Sequence, residues 1–289
     1  MRNVQEGLAA VEFNDIFPDF KFQKLLPIEK AKNVEWPMWM SEKYDGVFCA
    51  AAWHEGNIHI FSRTGKEYKS MKHIADSLRI LPFKANEIVL FEAYANVPQS
   101  VLSGWVRDTK NQHPEIIAMV HKVVDPMAGT FMYVGDISVN TLPKCLEVVN
   151  HILVSNLEKA MKKANLIWAR GGEGIVLECH SKTYYPGKRN NTAIKIKQSD
   201  TYDLEVVDII EGKGKYIGKV GALKCRFGDG TIITCGGMTD RERQDWWDDP
   251  SSIIGKVVEV MAMRDSPKGK LREPRYKGIR DKVDIDYSI

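Results

Sequence analysis

Several features that would assign this chain to a familiar class are missing. No run approaches about 18 consecutive apolar residues, so a membrane-spanning helix is not expected. The N-terminal stretch MRNVQEGLAAVEFNDIF carries charges where a secretory signal needs an apolar core, so export is not expected either. Cysteine is scarce and scattered: Cys49, Cys145, Cys179, Cys225 and Cys235 form no CxxC pair, and the seven histidines do not gather around them. Neither a disulfide framework nor a structural zinc site is indicated, and a reducing cytoplasm fits. The absence of internal repeats excludes a solenoid. Charge of one sign is also lacking: 41 Lys and Arg against 38 Asp and Glu leave +3, too little in sum to announce nucleic acid. Two phosphate-binding signatures are absent as well. The nearest approach to G-x-x-x-x-G-K-[ST] runs from Gly214 and ends in Val220, and no G-x-G-x-x-G follows a strand. A bound nucleotide must be held without a Walker loop or a Rossmann turn.

What is present is an ordinary globular balance, 44% apolar and 27% charged over 289 residues, enough for two domains. Val47 to His54 alternates as a strand, with Val47, Cys49, Ala51 and Trp53 on one face. Glu55-Gly56-Asn57 supplies a turn, and Ile58 to Arg63 alternates again, which predicts a hairpin. Ile88 to Tyr94 and Ile117 to Val124 are further β-branched segments of strand length. Leu142, Leu146, Val149, Leu153, Leu157 and Met161 fall three or four apart and predict a helix over residues 142–164. Gly174 to Leu177 and Thr192 to Lys197 return to strand character. Beyond about Ser199 the texture becomes short strands between glycine turns: Leu204 to Ile210, Leu223 to Phe227, Thr231 to Cys235 and Ile254 to Met263, with a tight Phe227-Gly-Asp-Gly-Thr turn. Such a pattern without a long helix suggests a small β-barrel of the OB type. The expected organisation is α+β, with one domain over residues 1–200 and a barrel over 201–289.

The sharpest local feature is Glu42-Lys43-Tyr44-Asp45-Gly46, just ahead of the hairpin. A lysine at a sheet edge becomes a nucleophile once deprotonated, which burial and nearby cations favour. Lys195 and Lys197 flank Ile196 at a period of two, so both ammonium groups project from one strand face, where they could grip a phosphate. Glu92 sits in an otherwise apolar strand, and a carboxylate there is costly unless it is paired. Glu173 follows Gly171-Gly172 at another strand mouth. Two carboxylates with oxygen donors suit a Mg²⁺ that travels with a nucleotide. Arg63, in Ser62-Arg63-Thr64-Gly65, closes the hairpin with a guanidinium able to fork onto phosphate or ribose. Singly, each has an ordinary structural explanation: a surface turn, a solvated strand face, a paired acid.

Taken in order, Lys43-x-Asp45-Gly46, Ser62-Arg63-x-Gly65, Phe91-Glu92, Glu173-Gly174 and Lys195-x-Lys197 resemble motifs I, Ia, III, IV and V of the covalent nucleotidyltransferases, which comprise the ATP-dependent DNA ligases, RNA ligases and mRNA capping enzymes. Asp108-Thr-Lys-Asn-Gln112 and the small size are most similar to compact bacteriophage DNA ligases. Gly212-Lys-Gly-Lys-Tyr216 and Gly269-Lys-Leu-Arg-Glu-Pro-Arg-Tyr276 are similar to the OB domain of small DNA ligases. The resemblance implies an adenylation domain of antiparallel sheets with helices, followed by the OB barrel. It implies that Lys43 attacks the α-phosphate of ATP to give a lysyl-AMP, with Asp45 beside it in the motif. Arg63 and Glu92 would address the ribose, Glu173 and Glu92 a Mg²⁺, and Lys195 and Lys197 the α-phosphate. The Glu42 backbone would lie beside adenine, His121 would stack on the base, and Arg280 and Lys282 would meet the leaving pyrophosphate. Departures occur at Phe48, where the family often has arginine, at Leu90-Phe91-Glu92 in place of Asp-Gly-Glu, and at Arg280-Asp281-Lys282, one residue tighter than usual.

Charge is uneven within the second half. Residues 268–282 hold Lys268, Lys270, Arg272, Arg275, Lys277, Arg280 and Lys282 against Glu273 and Asp281, and Lys213, Lys215 and Lys219 belong to an acid-free run from Gly212 to Arg226. Two basic runs in an OB-like domain point to a face that tracks a DNA backbone through Lys213, Lys215, Lys219, Lys268, Lys270, Arg272 and Arg275. Asp245-Trp-Trp-Asp-Asp249 should face away, with Trp246 and Trp247 packed. The expectation is a monomeric, cytoplasmic (host cytoplasm if viral) ATP-dependent DNA ligase that seals 3′-hydroxyl/5′-phosphate nicks in duplex DNA. The alternatives are an RNA ligase, a capping guanylyltransferase and a non-catalytic nucleic-acid-binding module.

Overall fold

The computed structural model describes residues 10–137, 141–263, 271–280 and 283–288. Contacts divide the chain into two compact units, Met1–Ile196 and Lys197–Ile289. The first contains strands β1 (Leu26–Pro27), β2 (Met38–Lys43), β3 (Val47–His54), β4 (Asn57–Phe61), β5 (Glu67–Tyr68), β6 (Ile88–Tyr94), β7 (Ile117–Asp125), β8 (Thr130–Tyr133), β9 (Leu146–Val148), β10 (Ile152–Val154), β11 (Gly174–Cys179) and β12 (Ala193–Lys197). Its helices are α1 (Phe13–Ile16), α2 (Lys72–Ser77), α3 (Gln99–Val106) and α4 (Leu157–Ala169).

These strands make two sheets. One runs β1-β12-β11-β2-β10, and the other runs β5-β4-β3-β6-β7-β8 with β9 added in parallel to β7. Strand alternation gives each sheet two apolar faces. Val47, Cys49, Ala51, Val89 and Phe91 pack outward on Ile74 of α2, on Leu78 just past its end, and on Leu102 and Val106 of α3. Met38, Met40, Ile175, Leu177, Ile194 and Ile196 cover Ala160, Ala164 and Ile167 of α4. Between the sheets lies an aromatic layer in which Phe13, Phe22, Phe61, Phe131, Tyr133 and Tyr184 pack with Leu90, Trp39 and Phe48. At one end this layer gives way to a polar cleft.

The predicted hairpin is present, as are strands at residues 88–94 and 117–125. The predicted helix over 142–164 is not. Residues 146–148 and 152–154 are strands, and the helix begins at Leu157 and runs on to Ala169. The apolar spacing is real, but β-branched Val148, Ile152 and Val154 favour the pleat, and Asn156 caps the true N-terminus by accepting from Lys159 N at 2.9 Å. Three short elements each satisfied the same apolar period.

The second unit is a five-stranded antiparallel sheet, β15-β14-β13-β16-β17, with β13 at Ser199–Glu211, β14 at Val220–Arg226, β15 at Ile232–Cys235, β16 at Val257–Met263 and β17 at Arg272–Arg280. Its core is Leu204, Val206, Leu223, Cys225, Phe227, Val258 and Val260. The expected small OB barrel takes the form, among the described residues, of an open sheet. Among the described residues, β15 and β17 at the two edges form no strand ladder with each other and are bridged beside β15 at Gly236–Arg275, where Tyr276 N donates to Gly236 O at 2.7 Å. The Phe227–Thr231 turn closes as predicted, Phe227 N donating to Thr231 O at 2.9 Å. A helix that the sequence pattern did not suggest, α5 (Asp240–Asp248), carries the acidic patch. Thr239 and Glu242 form its capping box, and Trp246 packs edge-on against Tyr276 with ring centroids 5.3 Å apart.

Candidate active site

The cleft of the first unit is lined among others by Lys43, Arg63, Glu92, His121, Lys122 and Glu178. Lys43 is the last residue of β2 and pairs in register with Gly174, the first of β11. This pairing sets Glu173 beside it, and Lys43 Nζ donates to Glu173 Oε2 at 2.8 Å. The turn that delivers Glu173 is specific. Gly171 takes φ +83° beyond the end of α4, and a Cβ on Gly172 would lie 2.4 Å from the Ile167 side chain. Trp168 Nε1 then donates to Glu173 O at 3.2 Å.

Glu92 lies on β6 directly opposite Phe48 of β3. Burial raises its pKa from 4.5 to about 7; Lys43 and then Arg63 pull it down, while Glu173 and Asp45 push it up. Asp45 thus belongs to the same electrostatic group. Arg63 stacks on Phe48, guanidinium carbon 3.9 Å from the ring centroid, and donates to Gln23 O at 3.3 Å. Phe48 is therefore the platform under the Arg63 guanidinium. Gly46 admits no side chain, since a Cβ would lie 2.4 Å from Ala93 O and 2.5 Å from Glu92 Cγ. Gly46→Ala is expected to destabilise the protein by about 1–3 kcal/mol, read from the urea midpoint; an unchanged midpoint would show that β6 yields freely.

Glu42, one residue before Lys43, points to the opposite sheet face and pairs with Arg170. His121 reaches the cleft because β7 bulges: Leu90 pairs with Lys122 and Phe91 with Val120, leaving His121 as the extra residue. Burial, then Lys122, hold its pKa well below the usual histidine range, so its ring is neutral at pH 7. Lys195 shares a face of β12 with the cleft-lining Ala193. Lys197 follows on that strand, is the first residue of the second unit, and donates to Met263 Sδ of the same unit at 3.5 Å. Arg280 lies on β17 beside Asp203 at 3.3 Å. Lys282, Lys268 and Lys270 fall outside the described residues. Lys213 and Lys215 are exposed on the β13–β14 loop and Lys219 is half-buried at its end. Arg272 and Arg275 are on β17, Arg275 paired with Glu273 at 3.5 Å.

Two cleft residues escaped the sequence reading. Lys122 Nζ contacts Glu178 Oε1, both are under 9% exposed, and Tyr133 OH donates to Glu178 Oε2 at 3.2 Å. Burial pulls the Lys122 pKa down to about 7, and only the nearby Cys179 opposes that pull. Glu178 interrupts an apolar strand as Glu92 does, and the same signal marked it. Among the described residues no three His, Cys, Asp or Glu side chains converge as a metal cage, and no helix is long and apolar enough to cross a membrane.

Residues 211–280 match the family model of the DNA ligase OB-like domain. No curated protein matches the chain. The solved structure "Pmar-Lig_PreS3" is similar at TM-score 0.73 and 20% identity, over 92% of this chain and 70% of that one. "Pmar-Lig_Pre." is similar at 0.73 and 21%, over 91% and 68%. A structure from "DNA binding with a minimal scaffold: Structure-function analysis of Lig E DNA ligases" is similar at 0.69 and 19%, over 90% and 99%. The chain is thus an α+β protein with the fold of DNA ligases and a DNA ligase OB-like segment in its second unit.

Proposed function

We propose that the chain is an ATP-dependent DNA ligase that seals nicks between a 3′-hydroxyl and a 5′-phosphate. The observation that carries this reading is Lys43 paired with Glu173 at 2.8 Å in a cleft that also gathers Glu92 and Arg63. Lys43 Nζ attacks the α-phosphorus of ATP, the Nζ–P bond forms, and pyrophosphate leaves. Glu173 Oε2 is placed to accept the ammonium proton. AMP then passes to the DNA 5′-phosphate, and the 3′-hydroxyl displaces AMP to close the backbone. Each step is a displacement at phosphorus, in which the protein positions groups and neutralises charge. Arg63, held on Phe48, and Lys195 and Lys197, on one face of β12, supply that charge; Asp45 and Glu92 complete the site.

Glu173 and Glu92 offer the hard oxygen donors that Mg²⁺ prefers, with the remaining positions left to water and phosphate. When bound, the ion neutralises charge on the nucleotide phosphates. His121 is assigned to the base, the Glu42 backbone to the adenine edge, and Arg280 and Lys282 to the pyrophosphate. Nicked duplex is the assigned partner, bound by a monomer in the cytoplasm. The DNA ligase OB-like match at residues 211–280 favours DNA over RNA, and parallel sealing of all-DNA and all-RNA nicks decides between them.

Intact-mass measurement after incubation with Mg²⁺ and ATP, then separately GTP, tests the chemistry. One AMP on Lys43 from ATP alone is expected. GTP labelling moves the reading to capping, and no adduct in protein first stripped by pyrophosphate overturns it. For the DNA face, joint replacement of Lys213, Lys215 and Lys219 by Ala should lower the slope of log affinity against log salt by up to about 3, measured on nicked duplex. An unchanged slope would place the DNA elsewhere.

A further inference from the structure

We propose that Cys225 and Cys235, in the core of the second unit, form a two-electron redox site that a hydroperoxide closes into a disulfide. The two thiols sit on neighbouring antiparallel strands. Register pairs Cys225 with Ile233 and Leu223 with Cys235, so the cysteines are diagonal neighbours on one face of β14 and β15. Their sulfurs lie 3.8 Å apart and share a hydrogen bond, and both residues are buried. The other three thiols donate to oxygen instead: Cys49 to Val47 O, Cys145 to Ser77 Oγ and Cys179 to Thr183 O. The hydrogen bond from Cys225 lowers the Cys235 pKa; burial works against it and the Tyr276 backbone N–H supports it. The same contact, then burial, raises Cys225. Thiolate character, which attack on a peroxide requires, therefore gathers on Cys235.

Cys235 is the last residue of β15, an edge strand laddered to β14. Gly236 and Gly237 follow it and, with Glu273, Pro274 and Arg275, line a surface pocket. A Cβ on Gly236 would meet nothing within 4 Å, so a molecule the size of peroxide needs only a local opening of this glycine pair. The Cys235 thiolate attacks one peroxide oxygen, the O–O bond breaks, and the leaving hydroxide takes up the thiol proton as water. Cys225 then attacks the resulting sulfenic sulfur, the S–S bond forms, and a second water leaves. Both sulfurs are oxidised and the peroxide is reduced. In a reducing compartment the dithiol is the resting state and the disulfide is transient. A disulfide holds its sulfurs about 2.05 Å apart and its Cα atoms within about 7 Å, the lower end of the diagonal spacing. Closure therefore draws the end of β15 toward β14. Gly236 must follow, and its carbonyl accepts from Tyr276 N at 2.7 Å in the bridge to β17. The seam between the two sheet edges, beside Arg275, thus opens as the thiols close. The dithiol chemistry stands apart from the ligase reading; any consequence for DNA at Arg275 rests on it.

The test treats the folded full chain with hydrogen peroxide, blocks the remaining thiols, and maps its peptides without reduction. A loss of about 2 Da, with the Cys225 and Cys235 peptides joined and dithiothreitol reversing the link, is expected. Cys49, equally buried, should stay a thiol. Cys225→Ala should halt oxidation at a sulfenic acid on Cys235 that dimedone traps, and Cys235→Ala should give neither product. Should a variant not fold, the wild-type map still decides. Amide exchange at Tyr276 should quicken about tenfold in the oxidised protein, the scale of one lost hydrogen bond. Both cysteines recovered as thiols, overoxidised without a link, or linked only after unfolding in urea overturns the site. A link with unchanged Tyr276 exchange overturns the opening of the seam. Affinity for nicked duplex should fall about three- to tenfold on oxidation and return on reduction, and equal affinity in both states would detach the seam from the DNA face. Failure of the ligase reading looks different: the reduced chain binds no duplex, while the peptide map still judges the dithiol.

Discussion

Lys43→Ala is expected to abolish covalent charging by ATP and to lower ATP-driven ligation by at least about 10⁴-fold, the scale on which enzymes lose rate when a nucleophile is removed. Sealing of a nick already adenylated on its 5′-phosphate should persist, because that step needs the cleft and not the Nζ atom. Alanine also strips the cation from Glu173, whose side chain is only 6% exposed, so part of any loss could come from an uncompensated carboxylate. Lys43→Arg separates the two effects. A guanidinium preserves the charge facing Glu173 yet stays protonated and cannot attack phosphorus. Arginine should therefore keep the thermal midpoint near that of the wild type while giving no adduct in intact-mass measurement. ATP-driven ligation surviving in Lys43→Arg would remove Lys43 from the mechanism.

Much of this site was legible because its residues break local patterns. Glu92 stands out in Ile88–Tyr94 as one acid among apolar residues, and the structure surrounds it with Lys43, Arg63, Glu173 and Asp45. The β3–β4 hairpin was legible because Glu55-Gly56-Asn57 separates two alternating runs, with Glu55 at φ +47° and Gly56 at +77°. Register is another matter. Nothing in Val120-His121-Lys122 discloses a bulge, which arises from how β6 and β7 pair across the sheet. For the same reason the meeting of Lys122 with Glu178, 56 positions apart, was invisible. Strand β17 was hidden by its own charge: Arg272, Arg275, Lys277 and Arg280 read as a basic run, although Tyr276 turns inward to the core. The failed helix over 142–164 shows a limit of periodicity, since Leu146, Val149, Leu153 and Leu157 keep helical spacing across a strand, a turn, a second strand and the first residue of α4.

Glu92→Gln is expected to change how stability depends on pH. In the unfolded chain this carboxyl titrates near 4.5, and in the fold near 7, chiefly because burial disfavours its charged form. Below about pH 4.5 both states carry the proton and the folded protein loses nothing. Between 4.5 and 7 the unfolded chain gives up its proton while the fold retains it, so stability falls as pH rises. At about 1.4 kcal/mol per pH unit, this window is worth about 3 kcal/mol. Above pH 7 the group adds no further slope. Gln keeps the shape and hydrogen-bonding capacity of the protonated acid and does not titrate. The variant should therefore unfold at higher urea than the wild type at pH 8, and the two should converge toward pH 5. The function should move the other way. The proposed function asks a carboxylate of Glu92 for ribose and Mg²⁺, so the variant that gains stability at pH 8 should form the AMP adduct more slowly at every pH, and adduct formation by the wild type should rise through pH 7. Parallel urea profiles for the two proteins from pH 5 to 8 would show that Glu92 keeps its ordinary titration in the fold. Its burial beside Lys43 would then be a packing choice, with no tension between stability and chemistry stored at this carboxylate.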